Sequence, residues 1–173
     1  SKLTRTQFDI NDDVLEIEIL KTLKHPNIVK LNDNGNLLLD NQKYAYAILD
    51  FISGETLADK MKRDHTFSQE DAKDIILGVS NGLNYLHNME NPVIHNDITN
   101  LNVMLDLFSQ IPIPKIIDFG YARFLSQSNK NFQKEGLNPF YTANETFNKV
   151  FSVQSDIFSV GALYYHLLVG LPP

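Results

Sequence analysis

Three polar side chains stand beside short apolar segments, at a spacing that suits phosphate chemistry. Asp97 and Asn102 lie in HNDITNLNVML (residues 95–105), and Asp118 ends the apolar run KIID (residues 115–118). If the two apolar runs pair as a hairpin, Asn102 and Asp118 lie at one end of it, beside Asp97. One amide and one carboxylate oxygen suit Mg²⁺, which keeps several waters and takes substrate phosphates as ligands. Asp97 is then free to accept a hydrogen bond from an attacking hydroxyl, and these parts together indicate phosphoryl transfer.

A plainer interpretation treats the same three side chains as turn residues, because Asp and Asn are frequent in surface connections. The choice depends on the elements that position them. Residues 12–24 place apolar side chains at spacings of three, with acids early and lysines late, which predicts an amphipathic helix that His25-Pro26 ends. Residues 28–31, 36–40 and 44–52 predict strands, the first two separated by a turn at NDNG.

The remainder of the chain predicts mostly helices. Ser68 followed by Asp71 is a capping-box start for a helix whose apolar stripe runs to Leu86. Residues 154–170 are apolar nearly all round, which is typical of a helix buried in a domain core. Together these elements predict an α+β fold of two lobes, with an inter-lobe hinge at residues 50–55 and a cleft beside it.

Composition excludes several classes of function. The 173 residues, 43% of them hydrophobic, suffice for one large domain or two small lobes. A net charge of −6 with scattered basic residues argues against nucleic acid as a partner. The absence of cysteine excludes a disulfide framework and a thiolate metal site. Because the sequence has neither a membrane-length apolar run nor a signal-peptide core, we expect no membrane partner and a cytoplasmic location.

Six motifs resemble those of eukaryotic protein kinases, in the same order and at nearly the same spacing. They are EIEILKTLKHPNIVKL (16–31, C-helix and fourth strand), YAILDFISGETLADKM (46–61, hinge), GLNYLHNMENPVIHNDITNLNVML (82–105, E-helix and catalytic loop), IIDFGYAR (116–123, metal-binding segment), NPFYTANE (138–145, end of the activation segment) and SDIFSVGALYYHLLVGLPP (155–173, F-helix). Within that family the chain is most similar to the Ser/Thr kinases of the calcium/calmodulin-dependent group.

The resemblance implies a kinase-like two-lobe fold. Residues 1–52 would form a partial N-lobe with the C-helix and strands four and five, and residues 53–173 a partial, mostly helical C-lobe. It further implies ATP and Mg²⁺ as cofactors and protein Ser/Thr hydroxyls as acceptors of the γ-phosphate. Asp97 would orient the hydroxyl and accept its proton, while Asn102 and Asp118 would hold Mg²⁺.

The resemblance also implies a set of nucleotide-binding positions. Leu49 would be the gatekeeper behind the adenine pocket. The backbone of Asp50 and Ile52 would hydrogen-bond the adenine, and Met104 would pack beneath it. Thr56 stands where many family members carry an acid that contacts the ribose.

Two more roles are implied for residues that link the lobes. Glu16 would pair with the ATP-binding lysine of the third strand, the alternative being a solvated acid on a helix face. Asp156 would anchor a buried column of side chains, although it could serve only as a helix cap. The members of that column are Leu20, Leu31, His95 and Phe119.

Several positions depart from the family pattern. Asn96 replaces the Arg that pairs with a phosphorylated activation loop, and Thr99 replaces a Lys that contacts the transferred phosphate. Asn144 replaces the Pro of the Ala-Pro-Glu signature. The glycine-rich loop and the strand-three lysine would precede Ser1, and Lys2 lies too late to serve as that lysine. We therefore expect a kinase domain truncated at both ends and inactive in isolation.

Two alternatives to a protein kinase remain. A pseudokinase would act as a binding or scaffold module without phosphotransfer, which the departures at Asn96, Thr99 and Asn144 favour and retention of all three site residues opposes. A small-molecule phosphotransferase would share the catalytic loop and the metal-binding Asp. The sequence identifies no regulatory protein partner.

Overall fold

The computed structural model describes residues 14–127 and 138–173. Lys2 and the predicted helix start at residues 12 and 13 lie outside the described residues. The elements in chain order are α1 (Leu15–Thr22), β1 (Leu31–Leu39), β2 (Gln42–Leu49), β3 (Gly54–Thr56), α2 (Leu57–Asp64), α3 (Gln69–His87), β4 (Val93–Ile94), β5 (Val103–Asp106), β6 (Ile113–Ile116), β7 (Arg123–Phe124), α4 (Asn144–Phe147) and α5 (Val153–Val169).

The long hairpin of β1 and β2 corrects one sequence prediction. The NDNG segment lies inside β1, where Gly35 is opposite Tyr46, so the turn predicted there is wrong. The chain reverses instead at Asp40 and Asn41, whose φ values of 48° and 60° are those a two-residue hairpin loop requires. Gly35 suits its place in the strand, because a Cβ there would lie 2.7 Å from the Tyr46 hydroxyl oxygen.

The elements that follow the hairpin agree better with the sequence. The predicted pairing of the two apolar runs is confirmed, since β5 and β6 are antiparallel neighbours, with β3 on the other side of β5. The predicted cap of α3 is also confirmed, because the Ser68 hydroxyl accepts a hydrogen bond from the Asp71 backbone N–H at 3.1 Å. Gly170, with φ of 80°, ends α5 in the left-handed conformation common at helix C-termini.

A continuous apolar core connects α1 with the elements of the C-terminal part. Ile19 of α1, Leu83 of α3 and Leu163 of α5 are members of this one cluster, each at most 3% exposed. The segment after α1 joins it through the backbone, where Val29 donates to the Ile116 carbonyl at 3.0 Å. Each fully buried Leu or Ile contributes about 1.5–3 kcal/mol. This packing fixes α1 relative to the β5–β6 hairpin; the division at residues 52 and 53 stays a prediction.

Among the described residues, the helices are all too short or too polar to cross a membrane.

Candidate active site

A buried carboxylate on α5 holds the loop that precedes Asp97. Asp156 is 0% exposed and accepts the backbone N–H groups of His95 at 2.9 Å and Asn96 at 2.8 Å. It also bonds His87 Nε2 at 2.9 Å. Ser152, not Asp156, caps the helix. The bonds to Asp156 compensate for burying its charge, so it holds this loop and does not cap α5; its implied role as the anchor of the column stays a prediction.

The loop places Asn102 directly against Asp97. The Asn102 side-chain amide donates to the Asp97 backbone carbonyl at 2.9 Å and to its carboxylate Oδ2 at 2.7 Å. A turn that closes with a bond from Asn102 N–H to the Thr99 carbonyl, at 3.1 Å, brings the two residues together. Asn102 is 8% exposed and Asp97 is half-buried, so this carboxylate is held in one orientation.

The pairing of β5 with β6 brings Asp118 to the end of the hairpin where Asn102 lies. Ile117 N–H donates to the Asn102 carbonyl at 2.9 Å, which makes Asp118 the next residue along from the position opposite Asn102. Asp118 has φ of 59°, a left-handed conformation that costs a non-glycine residue roughly 1–3 kcal/mol and is concentrated at functional sites. Its Oδ1 accepts the Gly120 N–H at 3.1 Å. The structure thus sets the three polar residues in sequence around the mouth of the hairpin.

The two predicted metal ligands have oxygens to spare. Asn102 uses its amide nitrogen for Asp97, and none of the described residues donates to its Oδ1. Asp118 uses only Oδ1 within the same part of the chain. One amide and one carboxylate oxygen are hard ligands that leave room for waters and phosphates, which fits Mg²⁺. The described residues contain no group of three or more His, Cys, Asp or Glu that could hold a metal without such additional ligands.

Glu16 points from α1 toward Asp118. A Cβ at Gly120 would lie 3.1 Å from Asp118 Oδ1 and 3.9 Å from Glu16 Oε2, so both carboxylates border the same glycine. Burial raises the pKa of Glu16, the charge of Asp118 raises it further, and the Phe119 backbone N–H opposes these effects. No cation within the described residues forms an ion pair with Glu16. This position suits a carboxylate that pairs with an incoming cation rather than one on a solvated helix face.

Leu20, His95 and Phe119 of the implied column are buried, and Leu31 is partly buried against the core. Phe119 and His95 are both 0% exposed and meet edge to face, with ring centroids 4.9 Å apart. Burial lowers the pKa of His95, despite the nearby charge of Asp156. His95 Nδ1 accepts the Asp97 N–H, so Nε2 carries the proton and donates to the Ile117 carbonyl at 3.3 Å. A neutral His95 therefore connects the predicted catalytic loop to the strand that leads to Asp118.

The predicted adenine-binding positions follow β2. Leu49 ends that strand and is 39% exposed. The Asp50 N–H is already bonded to the Lys30 carbonyl at 2.9 Å, which leaves its carbonyl for a ligand. The Ile52 side chain is buried, and its peptide groups bond to none of the described residues. At the predicted hinge, Asp50 thus offers its carbonyl as an acceptor. Ile52 offers its N–H as a donor and its carbonyl as an acceptor.

Thr56 and Met104 lie side by side as partners in the ladder of β3 and β5. Thr56 is the N-cap of α2: its hydroxyl accepts the Asp59 N–H at 3.1 Å and donates to the Asp59 carboxylate at 2.7 Å. Its hydroxyl hydrogen is therefore engaged within the protein, and its ribose role stays a prediction. Met104 is half-buried and packs against the core cluster.

Two of the departures from the family pattern, Asn96 and Thr99, form local hydrogen bonds. The Asn96 amide donates to the Tyr121 carbonyl at 3.0 Å, which ties the catalytic loop to the segment after Asp118. The Thr99 hydroxyl accepts the Leu101 N–H at 3.3 Å. Asn144 begins α4. A contact that sequence reasoning missed is His87 with Asp156; the only signal was a His directly after the apolar stripe of α3.

Comparisons with known proteins agree on one family. A family model described as the protein kinase domain matches residues 2–173. A probable serine/threonine-protein kinase PknB of Bifidobacterium longum is 30% identical over 94% of this chain and 25% of its own length. Calcium-dependent protein kinase 3 of Plasmodium yoelii yoelii is 32% identical over 91% of this chain and 28% of its own length. Ribosomal protein S6 kinase alpha-6 of Homo sapiens is 34% identical over 91% of this chain and 21% of its own length. The chain thus spans only 21–28% of the length of these relatives.

Proposed function

The chain belongs to the protein kinase family, and from that premise we propose that it carries the phosphotransfer centre of an ATP-dependent protein Ser/Thr kinase. The substrates are the γ-phosphate of ATP and a Ser or Thr hydroxyl of another protein, and the cytoplasmic location remains a prediction. The observation that carries the proposal is the bond from Asn102 to Asp97 beside Asp118, which leaves ligand oxygens unused on both Asn102 and Asp118.

Asp97 is the residue that acts on the acceptor hydroxyl. Asn102 holds one oxygen of its carboxylate at 2.7 Å, so the other oxygen is presented in a fixed direction. The hydroxyl donates to this carboxylate, and its oxygen forms a bond to the γ-phosphorus while the bond from that phosphorus to the bridging oxygen of ADP breaks. The proton passes to Asp97, and the products are a phosphorylated side chain and ADP.

Asn102 Oδ1 and the Asp118 carboxylate would hold Mg²⁺. When bound, the ion neutralises the charge of the phosphates. Asp118 is held for this role by its bond from Gly120 and by its left-handed backbone. Glu16 would bind the lysine that contacts the phosphates. The Asp50 carbonyl and the Ile52 peptide groups would bond the adenine, with Leu49 behind its pocket and Met104 packed beneath it.

The test is phosphate transfer from labelled ATP to a mixture of Ser- and Thr-containing peptides by the intact natural protein that contains this chain. Asp97→Asn should lower kcat by about 10²–10⁴-fold while leaving the KM for ATP within a few-fold of wild type. Asp118→Asn should abolish the Mg²⁺-dependent part of ATP binding. The matched control is Asp106→Asn at the far end of β5, whose charge faces Lys115 at 3.9 Å and lies outside the site; it should retain activity.

The same experiment distinguishes the kinase proposal from the scaffold alternative. The observation that keeps the alternative is the pocket beside Asp97, whose described lining includes Thr99 and Tyr141 but no Lys or Arg. A hydroxyl cannot supply the charge that a cation gives to the transition state. If the wild-type protein binds Mg²⁺-ATP and transfers no phosphate to any peptide, the kinase proposal is wrong and the scaffold function takes its place.

A further inference from the structure

The pocket beside Asp97 is small and polar. Its lining is formed by residues 96–99 of the loop that carries Asp97, by residues between 138 and 146, and by Ser155 and Ser159 of α5. Its volume is about 10 Å³, which is that of about one water-sized particle. The pocket therefore has room for a single small molecule or ion, and for nothing as large as an amino-acid side chain of a partner.

Three threonines in the lining are almost fully buried. Thr99, Thr142 and Thr146 are 5%, 8% and 6% exposed. Thr99 belongs to the loop of Asp97, and the other two belong to the segment that leads through α4 to α5. The Thr146 hydroxyl forms no hydrogen bond with any of the residues that the structure describes. Because a buried hydroxyl without a partner is unfavourable, Thr146 indicates that the pocket binds a ligand.

Two hydroxyl groups of the lining have lone pairs to offer but no hydrogen. The Thr142 hydroxyl donates its hydrogen to the Asn138 carbonyl at 2.7 Å. The Ser159 hydroxyl donates its hydrogen to the Tyr141 carbonyl at 2.6 Å. Because both hydrogens are used within the protein, these two oxygens can only accept a hydrogen bond from a ligand or coordinate a cation.

The charge around the pocket favours a positive ligand. Asp97 is part of the lining, and the lining that the structure describes contains no Lys or Arg. The Asp97 carboxylate repels an anion, whereas a cation is attracted both by this carboxylate and by the lone pairs of the hydroxyl oxygens. A cation is therefore a better complement of this lining than an anion or a neutral molecule of the same size.

The size of the pocket and its single carboxylate favour a monovalent cation over a divalent one. Mg²⁺ usually keeps several waters, for which a pocket of about one water's volume has no room. Ca²⁺ takes six to eight oxygen ligands, among them several carboxylates. In the part of the chain that the structure describes, no group of three or more His, Cys, Asp or Glu could hold a metal ion. Neutral oxygens that replace the hydration shell are the ligands of K⁺ in proteins.

From the volume, the buried threonines and the charge we propose that the pocket beside Asp97 binds one dehydrated monovalent cation of the size of K⁺ or NH₄⁺. The hydroxyl oxygens of Thr99, Thr142 and Thr146 coordinate the ion, and its charge offsets part of the charge of Asp97. The bound ion connects the loop that carries Asp97 to the segment that leads into α5. Binding needs neither ATP nor phosphotransfer, so this proposal and the proposed function can fail separately.

The test is thermal unfolding of the intact natural protein that contains this chain, in KCl and in choline chloride at equal ionic strength and without nucleotide. At ten times its Kd, K⁺ should raise the thermal midpoint by about 3–6 °C relative to choline, which is too large for the pocket. Thr146→Val keeps the shape of the side chain and removes its hydroxyl, so the rise should fall below about 1 °C. Thr99→Lys brings an ammonium group to the pocket, so its midpoint should be the same in both salts.

Thr22→Val is the matched control, because it makes the same change at an exposed residue of α1, outside the pocket; it should keep the full response to K⁺. Equal midpoints of the wild-type protein in the two salts would mean that the pocket holds water only, and would overturn the proposal. A response that persists in both Thr146→Val and Thr99→Lys would place the ion elsewhere. Crystals grown with Tl⁺, which resembles K⁺ in size, should show an anomalous peak between Thr99, Thr142 and Thr146, and the lack of one would also overturn the proposal.

Discussion

Replacing Asp156 by Asn tests whether the buried carboxylate on α5 holds the catalytic loop. In the wild-type chain its oxygens accept two backbone N–H groups, from His95 and Asn96, and bond His87 Nε2, all at 2.8–2.9 Å. An amide keeps only one acceptor oxygen and turns an NH₂ group toward a buried donor. The variant loses one charge-assisted bond, worth about 1.5–3 kcal/mol, and leaves one N–H unsatisfied, at about 1–3 kcal/mol.

The expected loss of unfolding free energy is therefore about 2.5–6 kcal/mol, measured by urea denaturation of the full chain. Since m-values are about 1–3 kcal/mol per molar urea, the midpoint should fall by roughly 2 M. Asp106→Asn is the control, because its pairing with Lys115 at 3.9 Å is a weak, partly exposed contact worth less than about 1 kcal/mol. If Asp156→Asn lowers stability no more than this control does, Asp156 is no more than a helix-end residue and the anchor argument fails.

Four further substitutions probe the site and its supports. Glu16→Gln should make the chain more stable than wild type at pH 7: burial raises the Glu16 pKa, so wild-type stability falls as the pH rises from the ordinary glutamate pKa through the raised one. Urea titrations between pH 4 and 7 should show the two proteins converging at low pH, and a constant difference would contradict this cause. Gly54→Ala should destabilise strongly, because its Cβ would lie 1.8 Å from the Leu105 carbonyl oxygen, whereas Gly161→Ala on α5, with nothing within 4 Å, should stabilise by about 0.5–1 kcal/mol in the same assay. Phe119→Ala should cost about 3–5 kcal/mol, since the ring is 0% exposed and packs on His95; a loss below 1 kcal/mol would show that the site tolerates collapse.

Local patterns in the sequence predicted what local forces determine. The periodicity of residues 12–24 and 154–170 predicted α1 and α5 to within a few residues, and Ser68 with Asp71 predicted the start of α3. The hairpin turn was wrong because NDNG and the Asp40-Asn41 pair both contain residues that tolerate positive φ. The pairing of Gly35 with Tyr46 places NDNG inside β1, and that pairing depends on residues outside the turn.

Contacts between distant parts of the chain explain the rest. His87 and Asp156 are 69 residues apart, and no spacing rule connects them. The placement of Asn102 and Asp118, the two predicted metal ligands, likewise depends on a hairpin register that the sequence only suggested and that the fold supplies. The resemblance to kinases identified these residues before their contacts were known, because the motif order carries long-range information that local patterns lack.

The electrostatics around Glu16 and Asp118 give the placement of these two residues a common explanation. Glu16 and Asp118 approach one glycine from α1 and from the end of β6, and the charge of Asp118 makes ionisation of Glu16 less favourable. Asp118 adds the cost of a left-handed backbone. Such an arrangement does not stabilise the fold unless a positively charged ligand or side chain binds beside it. A ligand present at a hundred times its Kd raises the free energy of unfolding by about 2.7 kcal/mol. Mg²⁺-ATP should therefore raise the thermal midpoint of the wild-type protein, and Asp118→Asn should remove the metal-dependent part of that rise. If the thermal midpoint rises as much in Asp118→Asn as in the wild-type protein, Asp118 does not bind the metal, and the argument from its placement beside Glu16 fails.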